Sequence, residues 1–290
     1  MLLLPLYILY KLFLSLLTSE EKVINKVVLV TGASSGIGEQ IAYQYAKRGA
    51  RLVICARREE LLKKVAMNAQ NLGSPEVLVI PTDVSKLEDC KDMVEKTITR
   101  FGRLDHLVLN AGLCAVCPFE EIENISAFKE LTDVNFWGYI YTTHYAIPHL
   151  RRSKGKVIVN ASIGGLLVGA TTSIYCASKA ALVKFYETLR QEMSDVEFTI
   201  VTLGFVDTDM TRGKFMNKDG KLLYNQKMPD IIKFLPKGSA EDCAKAILRA
   251  ASRGKRHLLW PTSYWIPLVI FTLLPQAMEW LALRLVMGRN

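Results

Sequence analysis

Six short runs, almost continuously apolar and rich in β-branched residues, recur at Val27 to Thr31, Arg51 to Ala56, Glu76 to Pro81, Asp105 to Asn110, Lys156 to Asn160 and Phe198 to Leu203. A strand with one wet face alternates polar and apolar side chains, so runs without alternation predict strands covered on both faces. Stretches of helical character lie between the runs, and such crossovers join parallel neighbours with a right-handed sense. The pattern predicts an α/β fold, a doubly wound parallel sheet of Rossmann type, with its ligand crevice at the carboxyl ends of the strands. The chain has 290 residues, half of them hydrophobic, which is enough for one large core and too little for a second full domain. That single domain is expected over 26–258. Within it, 205–237 is broken by Gly213, Asn217-Lys218-Asp219-Gly220 and Pro229 and reads as a mobile substrate segment over the crevice.

Both ends differ from the middle. Leu2 to Leu17 is apolar except for Lys11 and Ser15, and Glu20-Glu21-Lys22 closes the run. Nearly every face of a helix there is apolar, which predicts a membrane anchor over 1–19. Neither a basic leading segment nor a small-x-small cleavage site precedes Glu20, so a removed signal peptide is not the reading. The tail, 259–290, is apolar again but too short and proline-broken to span. It is expected to dip into the membrane interface, with Trp260, Trp265 and Trp280 at headgroup depth and Arg284 and Arg289 towards anionic lipid, or else to cover the pocket or a dimer contact.

The net charge of +9 comes from scattered basic residues such as Lys47-Arg48 and Arg151-Arg152. Without a basic stripe there is no case for nucleic acid, whereas anionic cofactors and lipid surfaces suit such a surplus. Six irregularly spaced cysteines do not form a disulfide framework and favour a cytosolic catalytic domain on the endoplasmic reticulum or a lipid droplet. Asn124-Ile125-Ser126 would be the glycan acceptor if that domain were luminal. Cys114 and Cys117 have the spacing of a redox or zinc half-site but lack a second pair, so they read as loop cysteines and no metal is expected.

Directly after the first run comes Thr31-Gly32-Ala33-Ser34-Ser35-Gly36-Ile37-Gly38. Glycines here let the chain turn tightly and let a pyrophosphate approach a helix N-terminus, where free N–H groups favour negative charge. At the end of the second run, where a carboxylate would select NAD, stand Arg57 and Arg58. Guanidinium groups there, with the Ser34 and Ser35 hydroxyls, suit the 2′-phosphate of NADP. Tyr175 and Lys179 are spaced to share a helix face, and Ser162 follows the fifth run. A phenol is a poor base at neutral pH unless a cation favours its ionised form, and Lys179 is placed to supply one. Ser162 would hydrogen-bond a substrate oxygen that gains charge.

The order and spacing of this glycine turn, Asn110-Ala111-Gly112, Asn135, Ser162 and Tyr175 with Lys179 resemble the short-chain dehydrogenase/reductase family from about Lys26 to His257. The resemblance implies a catalytic tetrad. In it Asn135 holds a water-linked proton relay to Lys179, Ser162 orients substrate and Tyr175 is the acid/base. It further implies that Asp83 and Val84 contact adenine, that Asn110, Ala111 and Gly112 border the cofactor, and that Val206 and Thr208 contact nicotinamide. Two departures are Leu203 where the family carries proline and Leu109 where many members carry asparagine. The apolar leader, Tyr45-Ala46-Lys47-Arg48-Gly49-Ala50, Ala56-Arg57-Arg58 and the apolar tail are similar to the 11-beta-hydroxysteroid dehydrogenase-like branch, including its plant members. The expected activity is NADP(H)-dependent interconversion of a secondary hydroxyl and a ketone on a lipophilic sterol-like or terpenoid substrate by direct hydride transfer. Other readings are a retinoid or sphingoid-lipid reductase of the same family, or a membrane or lipid-droplet structural protein that retains the fold. Expected partners are the lipophilic substrate, a membrane or lipid-droplet surface and a second copy of the chain.

Overall fold

The computed structural model describes residues 20–227 and 235–286; the expected anchor over 1–19 lies outside them. In chain order the main elements are β1 (Val27–Thr31), α1 (Gly36–Ala46), β2 (Arg51–Ala56), α2 (Glu59–Asn71), β3 (Val77–Pro81), α3 (Leu87–Phe101) and β4 (His106–Leu109). A short helix α4 (Lys129–Thr132) runs through a π-helical turn (Asp133–Trp137) into α5 (Gly138–Ser153), followed by β5 (Lys156–Asn160), α6 (Ser173–Glu192) and β6 (Glu197–Leu203). Then come β7 (Phe205–Asp207), β8 (Phe215–Met216), β9 (Leu222–Leu223), β10 (Lys237–Ser239), α7 (Ala240–Ser252), β11 (His257–Trp260), α8 (Trp265–Leu273) and α9 (Pro275–Val286).

Seven of the strands form one parallel sheet in the order β11-β6-β5-β4-β1-β2-β3. The chain enters at the middle, winds outward through β2 and β3, then returns beside β1 and winds the other way. The direction reverses between β1 and β4, and there the connections leave a crevice above the strand ends. Absence of alternation along β1 has the predicted cause. Val28 and Val30 point into one fully buried layer with Ile41, Tyr45 and Ile247, while Val27 and Leu29 point into the other with Met93, Leu107 and Tyr186. Each such side chain contributes roughly 1.5–3 kcal/mol by leaving water.

The sheet extends past the expected domain end at 258, because His257–Trp260 pairs with Ile200–Leu203 as the seventh strand. Trp260 is partly buried: a Cβ on Gly238 would lie 1.9 Å from its Cη2 atom, so the indole fills the space above that glycine. Beyond it α8 leaves Trp265, Ile266, Val269, Ile270 and Leu273 exposed, and Trp280 of α9 is exposed beneath the Arg284 guanidinium. Arg289 lies outside the described residues. Among those described, no helix is long and apolar enough to cross a membrane.

Of the segment 205–237, residues 228–234 lie outside the described part. The rest pairs internally, β7 with β10 and β8 with β9, and Met216 N–H donates to Cys114 O at 2.8 Å. It is thereby fastened to the loop after β4, over the crevice.

At the opposite, amino ends of the strands, residues 20–26 are bound to the strand starts. Glu21 N–H donates to Ser252 O, and Lys156 Nζ lies 3.0 Å from Glu21 and 2.9 Å from Glu197. Glu21 also ion-pairs with Lys26, and its carboxylate is 3.4 Å from the buried His106 ring, whose other nitrogen meets Tyr45 OH at 2.9 Å. Partial burial opposes the charge on Glu21, but His106, Lys26 and Lys156 outweigh it and hold the carboxyl far below its ordinary value. A depressed carboxyl pKa contributes stability above pH about 4.5 that is lost as pH falls towards the folded value. Glu21→Gln should therefore lower stability by roughly 2 kcal/mol at pH 7 and flatten the acid limb of a melting-temperature series from pH 7 to pH 3.

Candidate active site

A cavity of about 290 Å³ opens at the carboxyl ends of the central strands. Its floor at one end is the turn between β1 and α1. Gly32 has φ +66° and Gly36 φ +61°, the left-handed region that glycine tolerates without cost. A Cβ on Gly32 would lie 2.7 Å from Ala111 Cα, and one on Gly38 only 2.3 Å from Gly32 O. Backbone therefore occupies the place of side chains, and the amino end of α1 faces an open groove that an anionic diphosphate fits.

Beside that turn Arg58 Nη2 donates to Ser34 Oγ at 2.9 Å and to Ser35 Oγ at 2.7 Å. Arg57 instead pairs with Glu130 at 3.2 Å on the exposed side, although both arginines border the cavity with Asp83 and Val84. Asp83 is already committed within its own turn, accepting from Ser85 N–H at 3.1 Å and Ser85 Oγ at 2.8 Å.

Away from the turn the cavity is lined by Ser162, Tyr175, Lys179 and Val206, and Thr208 lines it close to Gly36. Tyr175 and Lys179 sit in the first turns of α6, and Ser162 caps the short 3₁₀ turn after β5, accepting Gly164 N–H at 3.1 Å. Burial, reinforced by Cys114, raises the Tyr175 phenol well above its ordinary pKa, against the Ser162 hydrogen bond. Lys179 Nζ donates to Asn160 O at 3.2 Å and stands over the Tyr139 ring. Burial brings Lys179 down to about 8, since a low-dielectric site penalises the ammonium.

Asn135 does not line the cavity. Its Oδ1 accepts Leu113 N–H at 2.8 Å, and its Nδ2 donates to Leu113 O at 2.9 Å and Ser178 Oγ at 3.1 Å. It joins the loop after β4 to α6. A Cβ on Gly112 would lie 3.3 Å from Asn135 Oδ1 and 3.8 Å from Lys179 Nζ, so both side chains come close to this glycine. Gly38 is likewise behind the wall, packed on Gly32 and Asn110. The other expected contacts, Ile37, Asn110, Ala111 and Gly112, do line the cavity.

Asn160 was not singled out in the sequence, yet it is central. Its carbonyl holds Lys179 and its Nδ2 donates to Asn110 Oδ1 at 2.7 Å. The signal was available, because two of the apolar runs in the sequence close on an asparagine, Asn110 and Asn160. Thr82, Cys114, Met210, Lys214 and Tyr224 also line the cavity without a sequence signal.

A model of the short chain dehydrogenase family matches residues 26–219, and the chain belongs to that family. It is thus an oxidoreductase of this class. Within the family it falls in the plant 11-beta-hydroxysteroid dehydrogenase-like branch. It is 47% identical over 285 residues to 11-beta-hydroxysteroid dehydrogenase A of Sesamum indicum, covering 96% of this chain and 80% of that protein. It is 49% identical over 273 residues to 11-beta-hydroxysteroid dehydrogenase-like 6 of Arabidopsis thaliana, covering 93% and 79%. Among solved structures it is similar to an alcohol dehydrogenase of Thermococcus sibiricus complexed with 5-hydroxy-NADP, with TM-score 0.69, 29% identity and coverage of 81% and 95%. A short chain dehydrogenase/reductase of Burkholderia phymatum in complex with NAD shares the fold at TM-score 0.77 and 22% identity, covering 89% and 96%.

Lys179 generates a stability prediction. Its pKa is depressed in the folded chain, so folding is penalised at pH below about 8, and the penalty is relieved as pH rises towards the unfolded value near 10.5. Lys179→Met should raise the melting temperature of the cofactor-free protein by several degrees at pH 7, and the gain should vanish near pH 10.5.

Proposed function

We propose that the chain is an NADP(H)-dependent oxidoreductase interconverting a secondary hydroxyl and a ketone on a lipophilic sterol-like or terpenoid substrate. The observation that carries the reading is the convergence of Ser162, Tyr175 and Lys179 on one end of a cavity whose other end presents a glycine turn and Arg58. When bound, the nicotinamide supplies hydride exchange at its C4 atom. In the reducing direction Tyr175, held as a neutral phenol by burial, gives its proton to the substrate oxygen. Ser162 donates a hydrogen bond to the same oxygen as charge gathers there. Lys179 would hold the cofactor ribose, and a pKa brought down by burial to about 8 suits it to move a proton near neutral pH. Asn135 fixes the loop and helix around Lys179, and its expected part in a water-linked proton relay to that lysine is retained as part of this reading.

NADP(H) is favoured over NAD because Arg58, with both serine hydroxyls already arranged around it, matches a phosphate by charge and geometry. The Thermococcus relative, solved with an NADP derivative, supports that choice. Adenine and its ribose fall to Asp83, Val84 and Arg57, and nicotinamide to Val206 and Thr208. The names of the plant relatives support a steroid-like substrate. Retinoid or sphingoid substrates remain the second reading. The exposed apolar face of α8 supports contact with a membrane or lipid-droplet surface, and the exposed Trp137, stacked on Tyr141, supports a second copy of the chain as partner.

Ketone-dependent NADPH consumption over a panel of sterols, terpenoids and retinoids tests the activity. Tyr175→Phe should lower turnover by about 10³-fold while NADPH still binds; substantial residual turnover would refute the acid/base role. Arg58→Asp should raise KM for NADPH about 100-fold and leave KM for NADH nearly unchanged, whereas equal changes would sink the NADP assignment.

A further inference from the structure

No proline stiffens the stretch Leu203-Gly204-Phe205-Val206-Asp207-Thr208, although Val206 and Thr208 form part of the cavity wall. What holds it comes from the other side of β11. Gly204 N–H donates to Trp260 O at 2.8 Å. Four residues later, Tyr264 lays its ring directly on Gly204, where a Cβ would lie 2.2 Å from the Cε2 atom. The Tyr264 hydroxyl accepts Phe205 N–H at 3.3 Å and donates to Pro236 O at 3.1 Å. One buried side chain, 4% exposed, thus ties the loop after β6 to the residue that leads into β10, the partner of β7. The loop in turn reaches the glycine turn, since a Cβ on Gly36 would meet Thr208 Cγ2 at 3.2 Å.

We propose that Tyr264 is a positioning residue for the cofactor, acting by bracing the loop that carries Val206 and Thr208. The proposal rests on the reading that this cavity takes NADP(H). Aromatic burial alone explains neither the hydroxyl's two backbone partners nor the glycine beneath the ring; together they make a fitted joint. A phenylalanine at this position keeps the packing and loses the joint, leaving Phe205 N–H and Pro236 O without that partner. An unsatisfied donor beside a flexible loop is compensated by letting the loop open. Val206 and Thr208 would then be held less closely against the cavity.

Two measurements on Tyr264→Phe test this. In the cofactor-free protein, amide hydrogen exchange across 204–208 should quicken about tenfold, with β1 and β2 unchanged. Fluorescence titration should show NADPH binding weakened about five- to tenfold, with kcat at saturating cofactor within about twofold of wild type. Gly204→Ala, which forces the ring away while keeping the hydroxyl, should reproduce the exchange effect. Unchanged exchange at 204–208, or exchange quickened equally throughout the sheet, would overturn the brace. Quickened local exchange with wild-type NADPH affinity would show a brace that does not position cofactor, and the proposal would fall. If wild type itself takes up no NADPH, it is the cofactor reading that fails, while local quickening in the variant would still uphold the brace.

Discussion

The hydrogen bonds that close the gap between β1 and β4 are the constraint on which the site depends. Thr31 Oγ1 accepts the Asn110 and Ala111 N–H groups at 3.0 and 3.3 Å, and Asn110 Nδ2 spans back to the Thr31 and Gly32 carbonyls, both at 3.2 Å. A parallel sheet leaves strand-end groups unpaired where its winding reverses. Here two side chains satisfy them and fix the glycine turn against the loop after β4. Asn160 extends the same network to β5, and its carbonyl reaches Lys179. A line of asparagine and threonine contacts therefore runs from the turn beneath the groove to the lysine at the reacting end.

Burial and reactivity are balanced along that line. Lys179 is 4% exposed and has no carboxylate beside it; a backbone carbonyl and the Tyr139 ring receive its ammonium. Those partners stabilise the charge only in part, so the pKa drops towards neutrality. A carboxylate would restore the charge and remove the proton mobility. The stability lost by keeping a poorly compensated lysine is the sort of local conflict that functional sites retain. Glu21 and Lys156 at the amino ends of the strands show the contrast, because there each charge meets opposite charges and the network serves to hold the chain.

Much of this was legible in the sequence. Continuous apolar runs foretold β1 to β6 to within a residue at each end, because a strand buried on both faces has no freedom to vary its pattern. Spacing foretold that Tyr175 and Lys179 share a cavity with Ser162 and the glycine turn. β11 was not legible, since four residues before a proline carry too weak a pattern and read as part of the tail. Nor could the sequence decide between Arg57 and Arg58: adjacent residues leave a strand end in different directions, and only the position of Glu130 and the serines separates them. Tyr264 was hidden for another reason. Its hydroxyl partners lie 28 and 59 residues earlier, and nothing local marks a tyrosine whose ring will cover a glycine.

The two ends of the described domain leave it on opposite sides. Residue 20 departs beside the amino ends of the strands, next to Arg48 and Arg253, whereas α8 departs just past the carboxyl end of β11. A strand's length separates them, at roughly 3.3 Å per residue. The crevice and the apolar face of α8 thus lie at the carboxyl ends of the strands, while the Glu21 network ties residues 20–26 to their amino ends.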